Sequence, residues 1–278
     1  QGAPPMLRRI PGVRAFTVMG VVNVTPDSFS DGGAFLDERE AIAHGRRLAA
    51  QGAAILDIGG ESTRPGAAPV DVAEELRRTR PVVEALVADG TARVSIDTSK
   101  LEVARVALDA GATYVNDVTA FRGDPELAGL VADRAADCCL MHMLGEPRTM
   151  QRDPRYEDVV DDVRAFLEER VSFAVAEGIR EDRIHLDPGI GFGKTLDHNL
   201  ALLRSIDAFC ALGFPVVVGT SRKSFLGRLT GRDDPARRVA ATLATNVLAY
   251  EQGASVFRVH DVAEHVDALT VAAATLAP

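Results

Sequence analysis

Residues 93–119, RVSIDTSKLEVARVALDAGATYVNDVT, hold one complete strand–helix–strand unit. Arg93–Thr98 is a short apolar, β-branched run that ends at Asp97. Lys100–Ala110 carries a helical pattern, and Gly111 stands where a helix C′ glycine belongs. Tyr114–Thr119 is a second run and carries Asn116-Asp117. A strand, a helix and a second strand in this order predict a right-handed crossover between parallel neighbours.

The same unit recurs along the chain. Phe16–Thr25 ends at Asn23, Ala53–Gly60 runs through Asp57 into Glu61, Cys138–Met143 carries His142, and Ile184–Gly189 carries Asp187. Pro215–Ser221 runs into Arg222-Lys223, and Ser255–His260 carries Arg258 and His260. Helices are expected over Asp37–Gln51, Asp71–Asp89, Lys100–Ala110, Pro125–Ala135, Tyr156–Glu177, Leu196–Leu212, Pro235–Gln252 and Val262–Leu276. Eight units in 278 residues fit an α/β chain folded as a single-domain (β/α)8 TIM barrel, a fold of about 250 residues. Residues 1–15 are read as an N-terminal extension and 16–278 as the barrel. In such a barrel the chemistry sits at the C-terminal ends of the strands, where the polar residues of these runs fall.

A net charge of −9 argues against nonspecific nucleic-acid binding, which needs a basic face. It leaves room for a small anionic substrate, because Arg64, Lys194, Arg222, Lys223, Arg258 and His260 all lie near strand ends. Cys138, Cys139 and Cys210 form no CxxC and read as reduced thiols. No apolar run reaches the length of a membrane span. Gln1–Pro5 lacks the charged and apolar regions of a secretory signal, so a cytoplasmic protein with no membrane partner is expected.

Asp97, Asn116 and Asp187 end different strands and are expected to share one pocket. Carboxylates accept hydrogen bonds and an amide both donates and accepts, which suits a flat heterocycle with amino, ring N–H and carbonyl groups, such as a pterin or guanine. Any one of the three can instead cap a helix. Ser221-Arg222-Lys223 and the alternating pair Arg258 and His260 form a cationic group where barrels often hold phosphate, although Arg222 alone also fits a surface ion pair. Asn23 on the adjoining first strand can hold a pyrophosphate or its Mg2+. The loop Gly60–Gly66 can clamp an anion, yet also reads as a simple turn. His142 is either a packed barrel-top histidine or a ligand. The long loops Pro26–Leu36 and Glu61–Val70 are candidate lids. Without a nucleophile–His–acid set, the arrangement reads as displacement at carbon driven by positioning and electrostatics.

In these motifs the chain resembles the dihydropteroate synthases. Met19–Gly33 is similar to the first signature of that family and Asp57–Gly66 to the second. Ser95–Thr98, Asn116-Asp117, Leu140–Met143, Leu186–Lys194, Gly219–Ser224 and Arg258–Asp261 follow in the family's order. The resemblance implies condensation of 6-hydroxymethyl-7,8-dihydropterin pyrophosphate with 4-aminobenzoate to 7,8-dihydropteroate and pyrophosphate. It implies that Asp97, Asn116, Asp187 and Lys223 hold the pterin, with Met141 against the ring. Asn23, Thr63, Arg64, Arg258 and His260 would serve the pyrophosphate, with Asn23 as the Mg2+ ligand. Phe29, Pro65, Phe192 and Ser224 would line the aminobenzoate site, where a sulfonamide would compete. Asp31 would stabilise the cationic pterin, giving a catalytic set of Asp31, Lys223, Arg258 and His260. The resemblance also suggests a homodimer, which the small, apolar run Val239–Ala249 favours. A pterin-binding methyltransferase of the methyltetrahydrofolate–corrinoid type would share the barrel and the carboxylates, but not the Ser62–Gly66 loop or the Ser221–Lys223 run. A non-catalytic pterin-binding paralogue is the non-enzyme alternative.

Overall fold

The computed structural model describes residues 12–25, 34–64 and 66–277, with backbone alone for 34–37. Eight parallel strands alternate with helices: β1 Thr17–Asn23, β2 Ile55–Gly59, β3 Arg93–Asp97, β4 Tyr114–Asp117, β5 Asp137–Met141, β6 Ile184–Asp187, β7 Val217–Val218 and β8 Val256–Val259. Their order is β6-β5-β4-β3-β2-β1-β8-β7. A parallel bridge between Leu186 and Val216, with Leu186 N donating to Pro215 O at 2.9 Å, joins the two ends and closes the barrel.

The outer core fills the space between sheet and helices. It takes Val94, Ile96 and Val115 from the strands and Val82, Leu86, Val103 and Leu127 from the helices. Inside the barrel, Met19, Ile55, Tyr114, Cys139, Val217 and Val256 form a separate buried cluster. Because side chains alternate along a strand, the next inward positions are Asp57, Asn116, Met141 and Arg258. The apolar layer is thus the floor on which a polar layer rests. Cys138 and Cys139 fall on opposite faces, as their adjacency requires, and both are buried free thiols.

The helices are α1 Ala34–Ala50, α2 Val72–Asp89, α3 Leu101–Asp109, α4 Glu126–Asp133, α5 Val159–Ala176, α6 Leu196–Arg204, α7 Ile206–Cys210, α8 Ser224–Thr230, α9 Val239–Glu251 and α10 Val262–Thr275. Gly111, after α3, has φ of 106°, a conformation that side-chain-bearing residues avoid. Three details differ from the sequence reading. The stretch Leu196–Leu212 breaks at Ser205, where Gln252 accepts from Ile206 N at 3.0 Å and donates to Leu203 O at 2.8 Å. Pro235–Arg238 is a 3-10 turn before α9, with Asp234 accepting from Ala236 N. The helix α8, directly after Lys223, was not anticipated, because its seven residues offer too short a window for a periodic signal.

Candidate active site

Asp57, at the centre of the C-terminal end of the barrel, is fully buried. Its Oδ1 accepts from Ser95 Oγ at 2.6 Å, and its Oδ2 from Asn116 Nδ2 at 3.0 Å and Arg258 Nε at 2.6 Å. The same guanidinium reaches Asp97, donating from Nη2 to Oδ2 at 2.9 Å. Strands β2, β3, β4 and β8 are therefore joined by one hydrogen-bonded group. Burial, reinforced by Asp57, Glu75 and Asp117 against the pull of Arg258, pushes the Asp97 carboxyl up to about 8. Burial works to lower Arg258, but Asp57 and Asp97 more than offset it and hold the charge there.

Asp187 completes the acidic wall. Its Oδ1 accepts from Gly189 N at 2.7 Å, and burial raises its carboxyl above the ordinary range despite Lys223. A Cβ placed on Gly219 would lie 3.8 Å from Asp187 Oδ2 and 3.9 Å from Lys223 Nζ, so both groups look onto the same space above β7. Lys223 donates to Ile190 O and sits 4.5 Å from the centroid of the Phe192 ring. Enclosure pushes its amine down to about 8, with Asp187 opposing that shift. Beside it, Val118, Met141, Met143 and Met150 form a buried apolar cluster against which Phe192 packs. Methionine is soft and polarizable and suits a flat aromatic face.

On the other side, Ser221 Oγ accepts from His260 N at 3.1 Å and lies 2.8 Å from His260 Nδ1. The hydroxyl and Nδ1 therefore share one hydrogen bond, which takes up Nδ1 and leaves Nε2 as the ring nitrogen free to face a ligand. Burial, with help from Arg258 and Arg222, lowers His260 to about 3, so the imidazole is neutral. Arg64 is exposed, its charge is felt at His260, and among the described residues its guanidinium makes no ion pair. Arg222 is committed elsewhere: its guanidinium makes a two-pronged pair with Asp261, with Nε to Oδ2 at 3.0 Å.

The structure brings Asp97, Asn116, Met141, Asp187, Phe192, Lys223, Arg258 and His260 to one end of the barrel, as the strand-end positions require. Asn23 ends β1 between β2 and β8, Thr63 is half-buried on the β2 loop, and Ser224 is exposed at the start of α8. Phe29, Asp31 and Pro65, and with them most of the first long loop, lie outside the described residues. His142 is not directed into this pocket; its Nδ1 lies 2.9 Å from the buried Lys194 Nζ. Arg258, expected to face a leaving group, is also bound to two of the carboxylates of the acidic wall. Sequence reasoning gave no role to Asp57, although a charged residue inside an otherwise apolar buried strand was the available signal. Ser95 and Ser221 stood inside named motifs but received no role of their own, because a serine in or after a strand is common. Among the described residues no group of three or more His, Cys, Asp or Glu side chains could hold a metal ion, and no helix is long and apolar enough to cross a membrane.

Residues 19–260 match the family model described as pterin binding enzyme. The Mycobacterium leprae dihydropteroate synthase is 48% identical over 266 residues, 93% of this chain and 93% of that protein. The Escherichia coli enzyme of the same name is 45% identical over 259 residues, 93% of this chain and 91% of that one. A crystal structure of Xanthomonas albilineans dihydropteroate synthase with 4-aminobenzoic acid superposes with a TM-score of 0.90 at 51% identity, covering 95% of this chain and 94% of that one. The same enzyme with 7,8-dihydropteroate gives 0.87 at 48% identity, covering 95% of each chain. The chain therefore belongs to the pterin-binding enzyme family and, within it, to the dihydropteroate synthases.

Proposed function

We infer that this site joins 6-hydroxymethyl-7,8-dihydropterin pyrophosphate to 4-aminobenzoate, releasing 7,8-dihydropteroate and pyrophosphate. The observation that carries the reading is the Asp57–Arg258–Asp97 group set against Asp187 and Lys223. A pterin presents amino and ring N–H donors on one edge and a carbonyl beside them. Asp187 and Asn116 suit the donors, Lys223 suits the carbonyl, and Met141 packs on the ring face. Asp97, its Oδ2 held by Arg258 Nη2, closes the same wall.

In the displacement, the aryl amine of aminobenzoate bonds to the pterin methylene carbon. The C–O bond breaks, its electron pair leaves on the diphosphate, and the amine gives up a proton to solvent. Negative charge grows on the bridging oxygen as this happens, so donors aimed there favour the transition state over the ground state. His260 Nε2–H, Arg64, Thr63 and Arg258 are assigned to that end. Asn23, which ends β1 opposite Gly59, is assigned to the same end. Its single amide oxygen fits an Mg2+ that arrives with the diphosphate, since this ion takes few protein ligands and keeps phosphate and water oxygens. Bound there, the ion would offset charge on the leaving group. Asp31, on the first loop, is assigned to the cationic pterin.

Phe192, Ser224, Phe29 and Pro65 are assigned to the aminobenzoate, the first from the β6 loop, the second from the start of α8 and the others from the long loops. A Yersinia pestis dihydropteroate synthase structure, 44% identical with a TM-score of 0.89, is described as a sulfonamide drug complex. A sulfonamide is accordingly expected to compete with aminobenzoate in this chain. Leu248 on α9 and Val271 on α10 are exposed by 57% and 66% and support a homodimer through these helices; light scattering at micromolar concentration is expected to give twice the chain mass. Pyrophosphate release that needs both substrates tests the activity. Release without aminobenzoate, or none with both, refutes it.

A further inference from the structure

Lys194 ends the β6 loop and is 3% exposed, yet nothing in the reaction above uses it. Its Nζ lies 2.9 Å from Phe192 O, 2.9 Å from His142 Nδ1 and 3.5 Å from His142 O. Among the described residues no carboxylate lies within ion-pairing distance of it. Its partners are neutral acceptors, two from the end of β5 and one from its own loop. His142 is itself kept neutral, pushed to about 2 by burial and by Lys194 and Arg122, so its Nδ1 is free to accept. Its ring stands edge-on to Phe166, with centroids 4.9 Å apart.

The two segments meet with no slack. A Cβ on Gly189 would fall 1.7 Å from His142 O, and one on Gly193 would fall 2.7 Å from Leu144 Cβ. Tyr156 adds a third tie, donating to Gly193 O at 2.7 Å. The amine is buried and directed at acceptors of both segments, so it acts as a cross-link. What it fixes is the peptide of Phe192, whose ring lies under Lys223 and against the methionine cluster.

We propose that Lys194 and His142 are positioning residues for the aminobenzoate subsite, tying Phe192 to the end of β5 and so setting the distance between its ring and Lys223. This rests on the assignment of Phe192 to aminobenzoate. Asp57, Asp97 and Asn116 of the pterin wall are held by their own strands and by one another, while Asp187 touches this region through its backbone, accepting from His142 N at 3.0 Å. The Lys194 side chain bonds the Phe192 carbonyl directly and the pterin wall not at all, so its loss is expected to weigh on aminobenzoate more than on the pterin.

The test compares Lys194→Met, His142→Phe, the double variant and Phe192→Ala. The readouts are KM for each substrate, kcat, and calorimetric binding of 6-hydroxymethylpterin. Lys194→Met is expected to raise the aminobenzoate KM about 10-fold, as loss of a buried hydrogen bond would, with kcat and pterin affinity within about twofold of the parent. His142→Phe keeps a ring against Phe166 and is expected to do the same, and the double variant to add little, because both remove one interaction. Lys194→Gln, which retains a donor, is expected to recover part of the loss. An unchanged aminobenzoate KM, or equal losses for both substrates, overturns the proposal; if Lys194→Met does not fold, His142→Phe and Lys194→Gln decide it. A Phe192→Ala variant with normal aminobenzoate KM refutes the subsite assignment and the proposal with it. A raised KM in Phe192→Ala beside a normal one in Lys194→Met refutes the proposal alone.

Discussion

Arg258 Nε donates to Asp57 Oδ2 at 2.6 Å across 201 residues of chain, and the carboxylate it meets is fully buried. The second strand and the last are thus held together by one buried charge contact. Removing Asp57 leaves Arg258 with Asp97 alone and orphans the Ser95 and Asn116 donors, at a cost of about 3 kcal/mol. Asp57→Ala is expected to lose stability of that order in urea unfolding. Asp57→Asn keeps the shape and one acceptor, so it is expected to fold, while Arg258 and Asn116 lose their common anchor. Its kcat/KM for the pterin substrate is expected to fall by about 10- to 100-fold, equivalent to roughly 1.4–2.8 kcal/mol. Parental kcat/KM in folded Asp57→Asn would contradict this.

Lys223 is expected to give the enzyme an alkaline limb. Its amine is pushed down to about 8, by enclosure first, so it is charged below that pH and loses its proton above it. A neutral amine no longer attracts the pterin carbonyl, so kcat/KM for the pterin substrate, which reports the free enzyme, is expected to decline with a midpoint near 8. Arginine keeps its charge throughout this range. Lys223→Arg is therefore expected to lose the limb, at lower absolute activity. If the limb persists in that variant, a second group near the same pH, Asp97 foremost, is responsible.

The barrel was legible because its signal is repeated. Each strand run is apolar and short, each helix is periodic, and glycines such as Gly111 mark the joints. Where the signal is a single contact, the sequence is mute. The break at Ser205 depends on Gln252, which is 47 residues away, and no local pattern announces it. The site divides in the same way. Asp97, Asn116, Asp187, Arg258 and His260 are polar residues ending apolar strands and stand out unaided. The links that organise them do not: Ser95 to Asp57, Ser221 to His260 and Lys194 to His142 join different strands, and only closure of the barrel brings them together.

At the opposite end of the barrel, His185 is expected to make stability depend on pH. Its Nδ1 lies 2.8 Å from Tyr114 OH, and burial lowers the imidazole from 6.5 to about 4. The folded-state value is depressed, so the contribution is present above pH 6.5 and lost as pH falls toward 4. At pH 5 the unfolded chain would be protonated there and the folded chain would not, a cost of about 2 kcal/mol relative to pH 7. His185→Phe cannot take up that proton. Chemical unfolding at pH 7 and pH 5 is expected to give the variant a pH dependence weaker by about that amount. Equal dependence in both proteins would show that His185 is not buried neutral.

Ser221 is expected to set the catalytic form of His260. The imidazole is neutral, lowered to about 3, so only one ring nitrogen carries a proton. Ser221 Oγ accepts from the backbone N–H of His260 at 3.1 Å and lies 2.8 Å from Nδ1, to which its hydroxyl is expected to donate. With the hydroxyl donating there, the ring proton is expected on Nε2, where it can meet charge growing on the departing diphosphate. In Ser221→Ala, Nδ1 has no donor, and the proton is free to divide between the two nitrogens. A hydrogen bond made chiefly in the transition state lowers kcat when it is lost and leaves KM nearly unchanged. The expected loss is about 5- to 30-fold in kcat, equivalent to roughly 1–2 kcal/mol. Nitrogen NMR of the imidazole reads the tautomer directly, and is expected to change from Nε2–H to a mixture. A variant that keeps the pure Nε2–H form and full kcat would mean that Ser221 only joins β7 to β8.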